Sequence, residues 1–185
     1  MGYTHYFKLS SNHKHTGVKK LQTEVQKVLD KYQYILQYEY NIKRPPLCEL
    51  RNGGREIFIR FNGIGEEGNE TFCFDSQDLN GDYCKTARKD YDEPVTKVLM
   101  LLKGFYGQRL DLRSDGFYCH QPKDKFYGVG DTPRNNILDG NWGWVWNWYN
   151  DIQPFGKPMR FRVIETHGGK NGEQDPYFSV TLYNG

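Results

Sequence analysis

The run Lys85-Thr86-Ala87-Arg88-Lys89 carries the strongest local chemistry in the chain. Three cations and a hydroxyl stand just ahead of an expected helix start, where unpaired backbone amides attract anions. Arg grips two oxygens of a phosphate, and Lys supplies a compact positive charge. The same residues also read as a solvated basic turn balanced by Asp90, Asp92 and Glu93. His5 is the second feature. On an extended strand it shares a face with Tyr3 and Phe7, opposite Thr4, Tyr6 and Lys8. There an imidazole either hydrogen-bonds a base or phosphate or is a satisfied core histidine. The third feature is Trp142, Trp144, Trp146 and Trp148 in strict alternation, which is either core packing or a stacking surface for bases.

Catalytic sets are harder to find. Glu70, Asp75, Asp78 and Asp82, with His5, are raw material for a metal-dependent phosphodiesterase, but no HExxH pattern organises them. His13 and His15 fall on one side of an extended chain, as a weak metal clamp or a solvated loop. Cys119 and His120 are adjacent and face opposite ways on a strand, so they form no dyad there. The loop Gly63–Gly68 lacks the Lys-Ser/Thr ending of a P-loop, and no serine elbow occurs. Binding groups are abundant; an acid/base pair is not evident.

The elements that must position these groups follow from hydrophobic periodicity. Tyr3 to Leu9 predicts a strand. Val18, Leu21, Val25, Val28, Leu29, Tyr32, Ile35 and Leu36 follow the three–four spacing of an amphipathic helix, with Lys19, Lys20, Glu24 and Lys27 on its wet side. Leu47–Arg51 and Glu56–Phe61 predict a hairpin about Gly53-Gly54, and Glu70–Asp75 another strand. Tyr91–Phe105 predicts a second helix with Asp92 as N-cap and Pro94 in its first turn. Leu110–Leu112 and Phe117–His120 predict a strand pair about Ser114-Asp115-Gly116, and 121–141 a loop. The Trp run fits a strand by alternation, and a helix through Trp142, Val145, Trp146 and Tyr149. Pro158–Thr166 and Tyr177–Tyr183 predict a hairpin. The expected class is α+β: a mainly antiparallel twisted sheet with two long helices on one face and a C-terminal β-hairpin. One domain spans 1–185, with 142–183 as an aromatic-rich extension that completes the sheet or makes an oligomer contact.

Composition bounds the function. The 185 residues suffice for one domain with a core. Lys+Arg 25 against Asp+Glu 23 leaves +2, which gives no support to bulk DNA coating. An aromatic content of 16% argues against disorder. No run of 18 apolar residues or signal-like start occurs, so neither a membrane span nor secretion is expected. Cys48, Cys73, Cys84 and Cys119 are widely spaced, which fits reduced, mostly buried thiols in a cytoplasmic protein better than a disulfide framework or zinc site.

The opening Met1-Gly2-Tyr3-Thr4-His5-Tyr6, Phe61-Asn62-Gly63, Glu70-Thr71-Phe72, the run Cys84 to Lys89 followed by Tyr91-Asp92, and Ser114-Asp115-Gly116 together resemble a widespread family of phage-encoded and prophage-like proteins. The resemblance covers about residues 1–120 and departs at Asp90, where that family more often has Pro. It extends to phage anti-defence proteins of the anti-CBASS sponge type. It implies a homo-oligomer in the host cytoplasm that binds a cyclic dinucleotide such as 3′3′-cGAMP and releases it intact, with no cofactor. On that reading Lys85, Arg88 and Lys89 engage phosphates, and Thr86 adds a hydrogen bond. His5, Tyr6 and Asn62 read sugar or base edges, and Trp142 stacks. The rival readings are the metal-dependent phosphodiesterase or nuclease above, and a protein-binding inhibitor of a host factor acting through 142–185.

Overall fold

The three–four period beginning at Val18 becomes α1 (Val18–Lys31), which buries Val18, Leu21, Val25, Val28 and Leu29. Gly17 enters it with φ 92°, a left-handed conformation that suits glycine. The computed structural model describes residues 3–11, 16–119, 126–127, 138, 140–166 and 177–184, with backbone alone at 118–119, 126–127, 163–166 and 177–180. His13, His15 and His120 lie outside the described residues, as does most of the expected 121–141 loop. Among the described residues no helix is long and apolar enough to cross a membrane.

Among the described residues all strand pairing is antiparallel and, with the helices, makes the fold α+β. Those strands form three sheets where one was expected. In the first, β1 (Thr4–Leu9) lies between β6 (Asp82–Lys85) and β7 (Leu110–Ser114). Its inward residues His5, Phe7 and Leu9 are buried, while Tyr6 and Lys8 face solvent. In the second, β4 (Glu56–Gly63) pairs with β3 (Leu47–Arg51) and β5 (Phe72–Asp75), and its end pairs with β2 (Leu36–Gln37). The third is the C-terminal hairpin β10 (Met159–Thr166) and β11 (Tyr177–Asn184), flanked by β9 (Phe126–Tyr127) and β8 (Tyr118–Cys119).

Several expectations need correction. The segments after Phe105 do not pair with each other: β7 pairs with β1, and β8 crosses to β11. A turn sequence fixes only that the chain reverses, and the hydrophobic faces choose the partners. The 121–141 segment is not all loop, because β9 pairs with β10. Of the two periods open to the Trp run the helical one holds, and it forms α3 (Trp142–Ile152), a third helix among the described residues. Burial of Trp142, Val145, Trp146 and Tyr149 decides for the helical period. These four side chains share one core with Met159, Phe161 and Leu182.

The second helix, α2 (Asp92–Tyr106), is central. Every residue of it except Glu93 and Phe105 is buried, with α1, α3, β7 and β11 packed around it. Gly104 permits the close crossing of α3, because a Cβ there would overlap the Tyr149 hydroxyl. Cys48, Cys73 and Cys84 are free thiols, and burial pushes Cys48 up to about 12, which keeps it unreactive.

Candidate functional site

The basic turn is built by the end of β6. The amides of Thr86 and Ala87 both donate to the Tyr3 carbonyl, at 3.0 and 3.2 Å. Ala87 (φ 54°) and Arg88 (φ 60°) are then both left-handed, at a cost of about 1–2 kcal/mol each for non-glycine residues. The double reversal sends Thr86 inward and Arg88 and Lys89 toward the surface. Lys89 N donates to Thr86 O and Asp92 N to Lys89 O, so the turn feeds directly into α2.

Inside the turn lies a polar knot that spacing along the chain did not reveal. His5 is fully buried, with Nε2 2.8 Å from Asp92 Oδ1 and Nδ1 2.8 Å from Ser114 Oγ. Thr86 Oγ1 also donates to Asp92 Oδ1 in a short bond, and Asn141 Nδ2 donates to Asp92 Oδ2 at 2.8 Å. Ser114 Oγ accepts from Trp142 Nε1 at 2.8 Å and from Gly116 N at 3.0 Å. With both lone pairs taken, the hydroxyl proton goes to His5 Nδ1, so Nε2 carries the hydrogen donated to Asp92. The Tyr3 and Trp142 rings meet the imidazole edge-on, with centroids 5.2 and 5.3 Å away.

This is a Ser–His–Asp relay in connectivity and not in chemistry. The serine oxygen has no lone pair left for attack, and the imidazole is sealed from any substrate. Asp92 is therefore not the N-cap that the sequence suggested: its carboxylate is spent on His5, Thr86 and Asn141. The flanking position belongs to Tyr91, and no side chain caps the helix.

The residues that sequence reasoning grouped are divided by the fold. His5, Thr86 and Trp142 all belong to the knot. Asn62 is buried elsewhere and clamps its own loop: Oδ1 accepts from Gly63 N and Asn69 N, and Nδ2 donates to Asn69 O and Thr71 Oγ1. Tyr6 and Lys85 stand on the solvent face of the first sheet. Arg88 and Lys89 stay together on a cleft of about 320 Å³, with Tyr34 and Asn141 also in its wall. The Arg88 guanidinium stacks 4.2 Å from the Tyr3 ring centroid, and Lys89 Nζ donates to the Glu66 carbonyl.

One wall of that cleft belongs to a second cluster that sequence reasoning missed. Lys97 is 1% exposed and lies 2.9 Å from Glu93. Its ammonium sits 5.0, 5.3 and 5.0 Å from the rings of Tyr32, Trp144 and Trp148. Lys97 donates to the Tyr32 hydroxyl, which donates to Glu93, and Trp144 Nε1 donates to the same carboxylate. Burial pushes the Glu93 carboxyl upward, but these donors and the ammonium prevail and hold it below the ordinary glutamate range. The signal was present as a Glu–Lys pair four residues apart, but such pairs usually lie on a wet face.

The acids named for a metal site lie near one another, Asp75, Asp78 and Asp82 on one small hollow, but most are engaged by backbone amides. Glu70 accepts from Lys85 N at 2.7 Å, Asp75 from Gln77 N, and Asp78 from Asn80 N. Among the described residues no group of three or more His, Cys, Asp or Glu side chains is placed to hold a metal ion. Compared with known proteins, the chain matches no family model, no curated protein and no solved structure.

Proposed function

We propose that the protein binds a small anionic nucleotide and holds it without cleaving it. The proposed ligand is a cyclic dinucleotide signal such as 3′3′-cGAMP, withdrawn from circulation in the host cytoplasm during phage infection. The observation that carries this reading is the outward pair Arg88 and Lys89, presented by two left-handed residues over a cleft with a 72% exposed tyrosine, Tyr34, in its wall. Non-glycine residues held in that conformation cluster where a ligand must be met. The two cations suit phosphate, Tyr34 offers a ring to a base, and the Asn141 amide a polar edge. Two of the nearby carboxylates are committed, Glu93 to Lys97 and Tyr32 and Asp92 to His5 and Thr86, while Asp90 also lines the cleft. Retention without hydrolysis is part of the proposal, and recovery of the intact ligand tests it.

At about 320 Å³ the cleft is at the small end of ligand pockets, which run from about 300 to 1,000 Å³. It admits one nucleotide half of a cyclic dinucleotide. The proposal therefore includes a homo-oligomer, in which a second copy covers the other half.

The test is incubation of the purified protein with a panel of cyclic nucleotides, followed by chromatography for retention and integrity, with the oligomeric mass measured alongside. The expected result is a retained ligand recovered unaltered after heat release. Arg88→Ala is expected to weaken binding at least tenfold by calorimetry, since a charge-assisted hydrogen bond contributes about 1.5–3 kcal/mol. Undiminished affinity in a folded Arg88→Ala variant, or recovery of a linearised product, overturns the reading.

A further inference from the structure

The solvent face of the β6–β1–β7 sheet carries chemistry that neither the core nor the Arg88 cleft uses. Its register places Arg113, Tyr6 and Tyr83 in one transverse row, because Tyr6 is opposite Arg113 on β7 and opposite Tyr83 on β6. Tyr6 is 47% exposed and Tyr83 53%. Their ring centroids are 6.2 Å apart with planes inclined at 37°. Both exposed rings are available to a stacking base. In the next row Lys8 lies opposite Asp111. Gly81 (φ +85°) seats its backbone against Lys8, where a Cβ would come within 2.9 Å of the lysine Cβ. Together with Asp115 these residues line an open concavity of about 570 Å³ that shares no lining residue with the Arg88 cleft.

Three chemistries meet in this hollow: a stacking surface, carboxylates that accept hydrogen bonds, and cations. A ribonucleotide answers all three. Its base stacks on the tyrosines, its ribose hydroxyls donate to a carboxylate as they do in dinucleotide-binding folds, and its phosphate meets Arg113 and Lys8. Arg113 is paired with Asp111 at 2.9 Å, but the two side chains are 76% and 54% exposed. Such a pair contributes little and yields readily to phosphate. A basic peptide would satisfy the acids and rings but set its charge against Arg113 and Lys8. A long single strand would bring further phosphates up to Asp111 and Asp115. We propose that this face is a second ligand site, distinct from the Arg88 cleft, that takes a free ribonucleotide with its base on Tyr6 and Tyr83.

The test is calorimetry on the full chain with adenosine 5′-monophosphate, its 2′-deoxy counterpart and a six-residue oligoriboadenylate. Saturable binding of the monophosphate is expected to persist when Arg88 and Lys89 are both changed to Ala. It should fall at least fivefold in Tyr83→Ala, the lower bound for one stacked base, and be restored in Tyr83→Phe, which keeps the ring. The deoxy compound should bind more weakly. Both tyrosines are exposed, so a thermal melt should find the variants folded. Absent binding, or affinity unchanged in the Tyr6→Ala/Tyr83→Ala double variant, overturns the proposal. Binding lost only with Arg88 and Lys89 also overturns it and leaves the cleft standing; binding lost only with the tyrosines leaves the sheet face standing whatever becomes of the cleft. A hexanucleotide preferred more than tenfold overturns the free nucleotide as occupant and assigns a single strand instead.

Discussion

Thr86 and Asp92 bracket Ala87–Lys89 in the chain, yet the two sets end in opposite environments. The bracketing pair is sealed in the knot with His5 and Ser114, at 0% and 2% exposure. The residues between them carry their cations to the rim of a cleft. Both sets have the residue types that recognise nucleotides. What separates them is where their hydrogen-bonding capacity is spent. The buried side chains of His5, Thr86, Asp92 and Ser114 are partnered within the chain, and the knot ties β1, β7, α2 and α3 together. Architecture and recognition are therefore interleaved residue by residue, and substitutions should separate them.

The largest effect is expected on the sealed side. Asp92→Ala removes the acceptor of His5, Thr86 and Asn141. Each buried donor left unsatisfied costs about 1–3 kcal/mol. A loss of about 3–5 kcal/mol in urea denaturation is expected. A loss below about 1 kcal/mol would erase the contrast between the two regions. Arg88→Ala should show the reverse: the tenfold affinity loss with at most about 1 kcal/mol of stability, the size of an exposed cation–π contact.

Trp142→Phe sharpens the comparison. The ring keeps its place against His5 and Phe117, but the indole N–H to Ser114 is lost. Stability is expected to fall by about 1–2 kcal/mol, with nucleotide affinity unchanged. A fall in affinity at unchanged stability would return Trp142 to the ligand side.

These residues also mark how far the sequence could be read. Helix α1 was legible as far as Lys31 because its apolar residues recur locally, although Tyr32, Ile35 and Leu36 continue that period and lie beyond the helix, Leu36 in β2; the β3–β4 hairpin was legible because its turn is local. The C-terminal hairpin was legible through alternation at Phe161, Leu182 and their neighbours. The partners of β1 were not, since β6 and β7 join it from about 80 and 105 residues away, and no local pattern states a partner. Ser114 looked like a turn residue, because its bond to His5 spans 109 positions. Asp92 looked like a cap for the same reason. Helix α2 showed an apolar stripe that understated its burial, since Lys97 and Lys103 are buried within it, one satisfied by Glu93 and the remote Tyr32 hydroxyl and the other by the Leu110 carbonyl just past the helix end. The cationic turn was legible as a composition, but its division into Lys85 on one face and Arg88 with Lys89 on another depends on two left-handed residues that carry no glycine signal.

The cluster on the cleft wall responds to pH. The Glu93 carboxyl is held below its ordinary value in the folded protein, chiefly against the opposing pull of burial, by Tyr32, Lys97 and Trp144. A depressed carboxyl contributes stability that is fully present above its unfolded value of about 4.3 and is lost as pH falls through the folded one. Stability followed by thermal melting is therefore expected to drop on acidification below about pH 4.3, and Glu93→Gln should flatten that limb. An unchanged acid limb in the variant would detach the cluster from the fold's stability.

The smallest change tests whether the rim depends on strain. Ala87→Gly removes the left-handed penalty of about 1–2 kcal/mol and adds back about 0.5–1 kcal/mol of unfolded-chain entropy. The variant should be more stable by about 0.5–1 kcal/mol. If alanine is kept there because it stiffens the presentation of Arg88 and Lys89, the stabilised variant should bind its nucleotide more weakly, since the turn then has to be ordered on binding. Higher stability with unaltered affinity would show instead that the amide bonds to Tyr3 already fix the turn. The contrast between the two regions would then rest on burial alone.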